Sequence, residues 1–196
     1  MARSLETTMT AGETVLDADG YDVQRARDGD PSAFDRLFSR HFARVYRFAY
    51  RMSGDGDLAE DAAQGAFVRT YRALGGLRDG QSFVKYLYRA ALNLLKDEAR
   101  RRSRKPEASI DGLERAGSGA EDPAGSLAAR ERDAALHRAV LALPEEFRTV
   151  VVLHHFEEMD VTEIGRVLGI PEGTVKSRLG RARARLRDQL REWLAG

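Results

Sequence analysis

The chain has 196 residues, with 32 Lys and Arg against 31 Asp and Glu, and no cysteine. The missing thiol excludes a disulfide framework, a cysteine-ligated zinc and a thiol nucleophile, and it fits a reducing cytoplasm. The net charge of +1 excludes a uniformly basic coat, yet the basic residues cluster at 96–105 and 176–191, local patches that suit directed contact with a polyanion.

The first residues, MARSLETTMTAGETVLDADG, hold no apolar run long enough for a signal peptide. No stretch approaches the roughly 18 apolar residues of a membrane span. A cytoplasmic protein without membrane insertion is expected.

Residues 1–20 are small and polar and are expected to form a disordered tail. From Tyr21 the pattern turns helical. Asp30-Pro31 marks a helix start, with the aspartate as cap and the proline in the first turn. Phe34, Leu37, Phe38, Val45, Tyr46, Phe48 and Met52 follow at mostly helical spacing until Gly54-Asp55-Gly56 breaks the run. Asp57-Leu58-Ala59-Glu60 reads as a capping box for the next helix. That helix carries Phe67, Val68 and Tyr71 as far as Leu74, before Gly75-Gly76.

A polar loop, 77–81, leads to a long helix over about 82–102. Residues 104–129 hold two prolines, four glycines and no sustained apolar period, and read as a flexible linker. Helices resume over 129–141 and again from Pro144 to Glu157. The β-branched run at 150–153 lies inside a helical pattern of Phe147, Val150, Val151, Leu153 and His154. The expected fold is all-α, with two small helical domains at 21–103 and 130–196, each large enough for a modest core.

The block VTEIGRVLGIPEGTVKSRLGRARARL, 161–186, is the most informative stretch. Asp160 with Glu163 three residues on forms a capping box, Gly169 permits a left-handed turn, and Pro171 starts a second helix. The spacing predicts Ile164, Val167 and Leu168 as the buried stripe of the first helix. Projected at about 100° per residue, Val175, Leu179, Ala182 and Leu186 share the core face of the second. Opposite lie Ser177, Gly180 and Ala184, flanked by Lys176 and Arg181. Small residues ringed by cations let a helix approach a major groove closely. Arg178, Arg183, Arg185 and Arg187, nearer the edges, suit phosphate contacts. A merely solvated basic helix would leave the cap, the turn and the small outward residues unexplained.

The helix over 82–102 divides in the same way. Val84, Leu87, Tyr88, Ala91, Leu94 and Leu95 line one face, and Tyr86, Arg89, Asn93, Lys96 and Arg100 line the other. An aromatic, an amide and cations on one exposed stripe suit strand-separated DNA, where unpaired bases need stacking partners. An ordinary surface helix with a basic end is the plain alternative on this helix alone.

Together these motifs resemble the sigma factors of bacterial RNA polymerase, in particular the small two-domain extracytoplasmic-function (ECF) group. DLAEDAAQGAFVRTYRAL (57–74) is similar to regions 2.1–2.2, FVKYLYRAALNLLKDEARRRSRK (83–105) to regions 2.3–2.4, and LPEEFRTVVVLHHFEEMDVTEIGRVLGIPEGTVKSRLGRAR (143–183) to region 4. Gly65 stands where the family has an acid, Tyr86 where it has tryptophan, and Gly165 where it has alanine.

The resemblance implies that the first domain binds core RNA polymerase, at the clamp helices of the largest subunit, through Asp61, Gln64, Phe67 and Arg69. It implies −10 contacts at Tyr86, Arg89, Asn93, Lys96 and Arg100, with the loop 75–82 holding a flipped base. It assigns the −35 contacts to Thr174, Lys176, Ser177, Arg178, Gly180, Arg181 and Arg183. The second domain would also meet the flap of the second-largest subunit, and the linker would thread towards the RNA exit channel. The implied partners are core RNA polymerase, promoter DNA and an anti-sigma factor, with the free chain a monomer.

A LuxR-type helix-turn-helix regulator, binding operators as a dimer, shares the pattern of the C-terminal block but leaves the first domain unexplained. An enzyme would need a constellation the chain lacks. His154 and Glu158 share a helical face, but no HExxH arrangement or third ligand accompanies them, so neither a metal nor a cofactor is expected.

Overall fold

Asp30 begins the second helix as its spacing predicts: its carboxylate accepts from the Ser32 N–H, and Pro31 occupies the first turn. The structure is a computed structural model that describes residues 11–104 and 127–191. The described chain is all-helical: α1 (Ala11–Arg27), α2 (Pro31–Ser53), α3 (Gly56–Arg72), a 3₁₀ turn (Leu74–Gly76), α4 (Gly80–Arg104), α5 (Leu127–Leu141), α6 (Glu145–Val151), a π turn (Val152–Phe156), α7 (Val161–Leu168) and α8 (Glu172–Gln189).

Three expectations change. Residues 11–20, taken as tail, form the first half of α1. Asp19 is fully buried there, facing the His41 Nε2 at 2.8 Å and also paired with Arg40, while Asp22 meets Arg36 and Arg40 at 2.8 Å. A polar residue can look solvent-facing in sequence and still be buried once cations on another helix meet it. Residues 1–10 and most of the expected linker, 105–126, lie outside the described residues.

The cap of α3 is Asp55, whose side chain accepts from Leu58 N–H at 3.0 Å, and not Asp57. Gly54, at φ 73°, closes α2 in the left-handed conformation, so one three-residue break both ends a helix and starts the next. Finally, the helix beginning at Pro144 stops at Val151 and widens into the π turn, where Glu157 N–H reaches back to Val152 O.

α2 buries Ala33, Leu37, His41, Val45, Phe48, Ala49 and Met52. α3 buries Ala59, Ala62, Ala63 and Ala66, small residues that let neighbouring helices approach closely. Gly65 extends this logic towards α4: a Cβ there would lie 2.9 Å from Leu94 Cδ1. The absent acid at this position is thus accompanied by close α3–α4 packing.

One apolar core runs from Val23 in α1 to Ala182 in α8, so the two halves of the chain pack against each other. Arg148 pins this junction, donating to Met52 O at the end of α2 and to Leu141 O and Leu143 O at the end of α5. A cation at helix C-termini answers carbonyls that have no partner within the helix.

The cap assignment is testable by urea unfolding. Asp55→Ala should cost about 1 kcal/mol, and Asp57→Ala less than about 0.5 kcal/mol. The Leu58 N–H holds the Asp55 carboxyl below its usual range. The cap's contribution is therefore present above the ordinary aspartate pKa and is lost as pH falls through the lowered value. A larger loss for Asp57→Ala than for Asp55→Ala would return the cap to Asp57.

Candidate nucleic-acid interface

The helix-turn-helix is built by local chemistry. Asp160 Oδ1 accepts from Glu163 N–H at 2.7 Å, and Glu163 Oε2 accepts from Asp160 N–H at 2.8 Å. Gly169 turns the chain at φ 68°. A Cβ at Gly165 would stand 3.0 Å from Ile170 O, so the glycine permits the close turn into α8. Thr162 Oγ1 then donates to Glu172 Oε1 at 2.7 Å, tying the starts of α7 and α8 together.

α8 buries Val175, Leu179 and Ala182, the predicted core stripe, and Leu186 is half-buried. Lys176, Ser177, Gly180, Arg181 and Arg183 are exposed, and nothing approaches within 4 Å of where a Gly180 Cβ would lie. Thr174 is partly buried at the head of the helix. Two cations assigned to phosphate contacts point elsewhere. Arg178 turns to Glu146 of α6 at 3.2 Å, and Arg185 lies over the Phe147 ring at 4.9 Å. Both pack α8 onto α6, a role invisible from the helical projection of α8 alone.

On α4, Tyr86, Arg89, Asn93 and Arg100 are exposed, as the stripe requires. Two of the five predicted residues are engaged by the second half of the chain. Lys96 Nζ pairs with Glu145 at 3.1 Å, and a Cβ on Gly169 would lie 2.9 Å from Arg89 Nη2.

The basic end of α4 carries a further group, an acid among its arginines. Glu98 accepts from Arg101 at 2.6 and 2.8 Å and from Arg102 at 2.9 Å, and these hydrogen bonds hold its carboxyl down at about 2. The i,i+3 and i,i+4 spacing of acid and cations was the available signal. Arg102 also reaches the Asp55 carboxylate at 3.1 Å. Part of the apparent positive charge of 96–105 is therefore neutralised within the chain.

The loop before α4 is short. Leu77 is buried, and Asp79 accepts from Ser82 N–H at 2.7 Å to start the helix. Beside it lies an open groove of about 1490 Å³, lined by Tyr21, Arg36, Arg40, Asp79 and Gln81 among others. Its arginines Arg36 and Arg40 are held by Asp19 and Asp22.

Among the residues assigned to polymerase contact, Asp61, Gln64 and Arg69 are exposed. Phe67 is not: it is 2% exposed, beneath Phe34, Phe38 and Phe42. The exposed apolar surface above it belongs to Phe38, Val68 and Tyr71. Phe67 thus supports the neighbouring surface from below. Among the described residues no group of three or more His, Asp or Glu is placed to hold a metal ion, and no helix is long and apolar enough to cross a membrane.

Glu98→Gln should release its two arginines to DNA. We expect the slope of log affinity against log salt to steepen by about 1 when the full chain is titrated with mixed-sequence single-stranded DNA. An unchanged slope would show that Arg101 and Arg102 do not face the strand.

Sigma-70 region 2 matches residues 37–105, and sigma-70 region 4 matches residues 133–186. The ECF RNA polymerase sigma factor SigW of Bacillus subtilis (strain 168) is 35% identical over 180 residues, covering 87% of this chain and 95% of that protein. SigE of Mycolicibacterium smegmatis, another ECF RNA polymerase sigma factor, is 38% identical over 180 residues, covering 91% and 67%. The structure of CnrH in complex with the cytosolic domain of CnrY matches with a TM-score of 0.68 at 27% identity, over 90% of this chain and 99% of that one. With both conserved regions matched in order on one helical chain, the protein belongs to the ECF group of sigma-70 RNA polymerase sigma factors.

Proposed function

We propose that this chain is a non-catalytic initiation subunit of the cytoplasm, supplying promoter recognition and strand opening while core polymerase supplies the chemistry. The observation that carries the reading is that α4 and α8 each bury one apolar stripe and expose a cationic, groove- or strand-sized stripe on the other side. A lone operator reader needs only α8.

In this reading α8 meets the −35 duplex. Lys176, Ser177 and Arg181 face base edges, Gly180 permits closeness, Thr174 lies at the leading end, and Arg183 tracks phosphate. Tyr86, Asn93 and Arg100 of α4 meet the −10 strand, joined by Arg89 and Lys96 once these are free. Asp61, Gln64 and Arg69 frame the Phe38, Val68 and Tyr71 patch as the polymerase-facing surface, the kind of polar-rimmed apolar patch that marks a protein contact. The second half meets the flap of the second-largest subunit. CnrH is seen with the cytosolic domain of CnrY; a protein partner, in this reading an anti-sigma factor, is the expected regulator here, and the free chain is a monomer.

Run-off transcription tests the reading. The chain added to core polymerase should start transcription from members of a genome-wide promoter library, and neither component should do so alone. Arg181→Ala should weaken preference at one −35 position by about 1–3 kcal/mol. No initiation from any member of the library would overturn the proposal. Unchanged preference at every position would remove Arg181 from the face.

A further inference from the structure

One glycine inside α8 has no packing reason to be there. Glycine is the least favourable residue of a helix interior after proline, so a neighbour or a function must ask for it. Neighbours ask for it elsewhere. A Cβ on Gly65 would lie 2.9 Å from Leu94 Cδ1, one on Gly165 3.0 Å from Ile170 O, and one on Gly20 3.7 Å from the Gly80 nitrogen. Gly180 is different. It lies well inside Glu172–Gln189, it is exposed, and a Cβ there would meet nothing within 4 Å. Gly173 is as open, but it belongs to the first turn of α8 and not to the helix interior.

The bare position falls within the outward face of α8. Val175, Leu179 and Ala182 are buried and fix the direction of the core. At about 100° per residue, Ser177 points almost directly away from them. Arg181 lies roughly 50° to one side of that line and Gly180 roughly 50° to the other. Their Cα atoms are about 3.8 Å apart, close to one base-pair step of about 3.4 Å.

Nothing from the rest of the helix fills the gap. Side chains lean towards the N-terminus of a helix, so the residue one turn on, Ala184, leans over position 180 and ends at its methyl. Arg178 and Arg185 are drawn to Glu146 and Phe147. The exposed side chains around the gap are Lys176, Ser177, Arg181 and Arg183.

A base pair is told from the other three by side chains that meet the donors, acceptors and methyl on its major-groove edge. Arg181 can do so, and Gly180 has nothing to offer. Phosphate contacts from Arg183 hold the helix in place but carry no sequence information.

We infer that Gly180 leaves one base pair inside the −35 element unread, the neighbour of the pair that Arg181 contacts, and that residue 180 sets how many base pairs α8 specifies. The inference rests on the proposed reading of α8 as the −35 helix. Its consequence is a wider promoter set: one unread pair multiplies the accepted −35 sequences about fourfold. The open space also means that a side chain can be installed at this position without disturbing the fold.

The test uses the full chain with core polymerase and a promoter library in which every −35 position carries each of the four base pairs, with initiation read for each member. Arg181→Ala marks one position by flattening its preference. In the unmutated chain, one neighbour of that position should vary less than about twofold among the four pairs, with selective positions on both sides. Gly180→Asn should make this same neighbour prefer A·T, and Gly180→Arg should make it prefer G·C, each by roughly fivefold or more. The two variants differ in length, so a gain in either one supports the inference.

Selectivity at both neighbours in the unmutated chain would overturn it, as would a flat result for Arg181→Ala. So would a failure of both Gly180 variants to move preference at that neighbour. Loss of initiation from every member in both variants counts as such a failure, because it would show that the glycine is needed for room. Initiation with any of these results strikes this inference and leaves the proposed function standing. No initiation by the unmutated chain from any member strikes the proposed function and takes this inference with it.

Discussion

Burying the Glu157 carboxylate is tolerable only while Arg44, Arg51 and Tyr88 surround it, and that requirement organises the junction between the two halves of the chain. The π turn and the left-handed Glu158 deliver the acid. Arg148 answers the carbonyls at the ends of α2 and α5 beside it. The apolar core continues beneath. The seam therefore combines non-directional burial, which holds the halves together, with a directional polar cluster, which fixes how they meet.

That division bears on the two helices proposed to meet DNA. α4 and α8 both spend one side on the core, and their cations sort into two populations. Arg181, Lys176 and Arg183 are exposed on α8, whereas Arg178 and Arg185 secure it to α6. On α4, Arg101 and Arg102 are answered by Glu98, and Lys96 by Glu145. A count of basic residues overstates the charge offered to DNA; what matters is which guanidinium has an acid or a ring already in reach.

Much of this was legible in the sequence because it is local. The Asp30 cap, the Asp160–Glu163 box, the Gly169 turn and the Val175, Leu179 and Ala182 stripe follow from spacing alone. The errors have a common cause in contacts distant along the chain. Asp19 looked like tail because its partners, Arg40 and His41, lie on another helix. Phe67 looked like a contact residue because its cover comes from α2. Glu157 looked like a helix end, since the 3.6-residue period contains nothing that predicts a widened turn or three donors from the other half. Asp57 was mistaken for the cap because its motif resembles one, while Asp55 two residues earlier has the geometry.

In the proposed function, one chain holds two promoter grips that act together at a set separation. The direct test is to insert about five base pairs, roughly half a helical turn, between the −35 and −10 elements of a promoter that this chain and core polymerase use. Initiation should collapse, because α8 and α4 can no longer face their elements at once, and restoring a full turn should not return it to the starting level. Undiminished initiation from the half-turn insertion would contradict it.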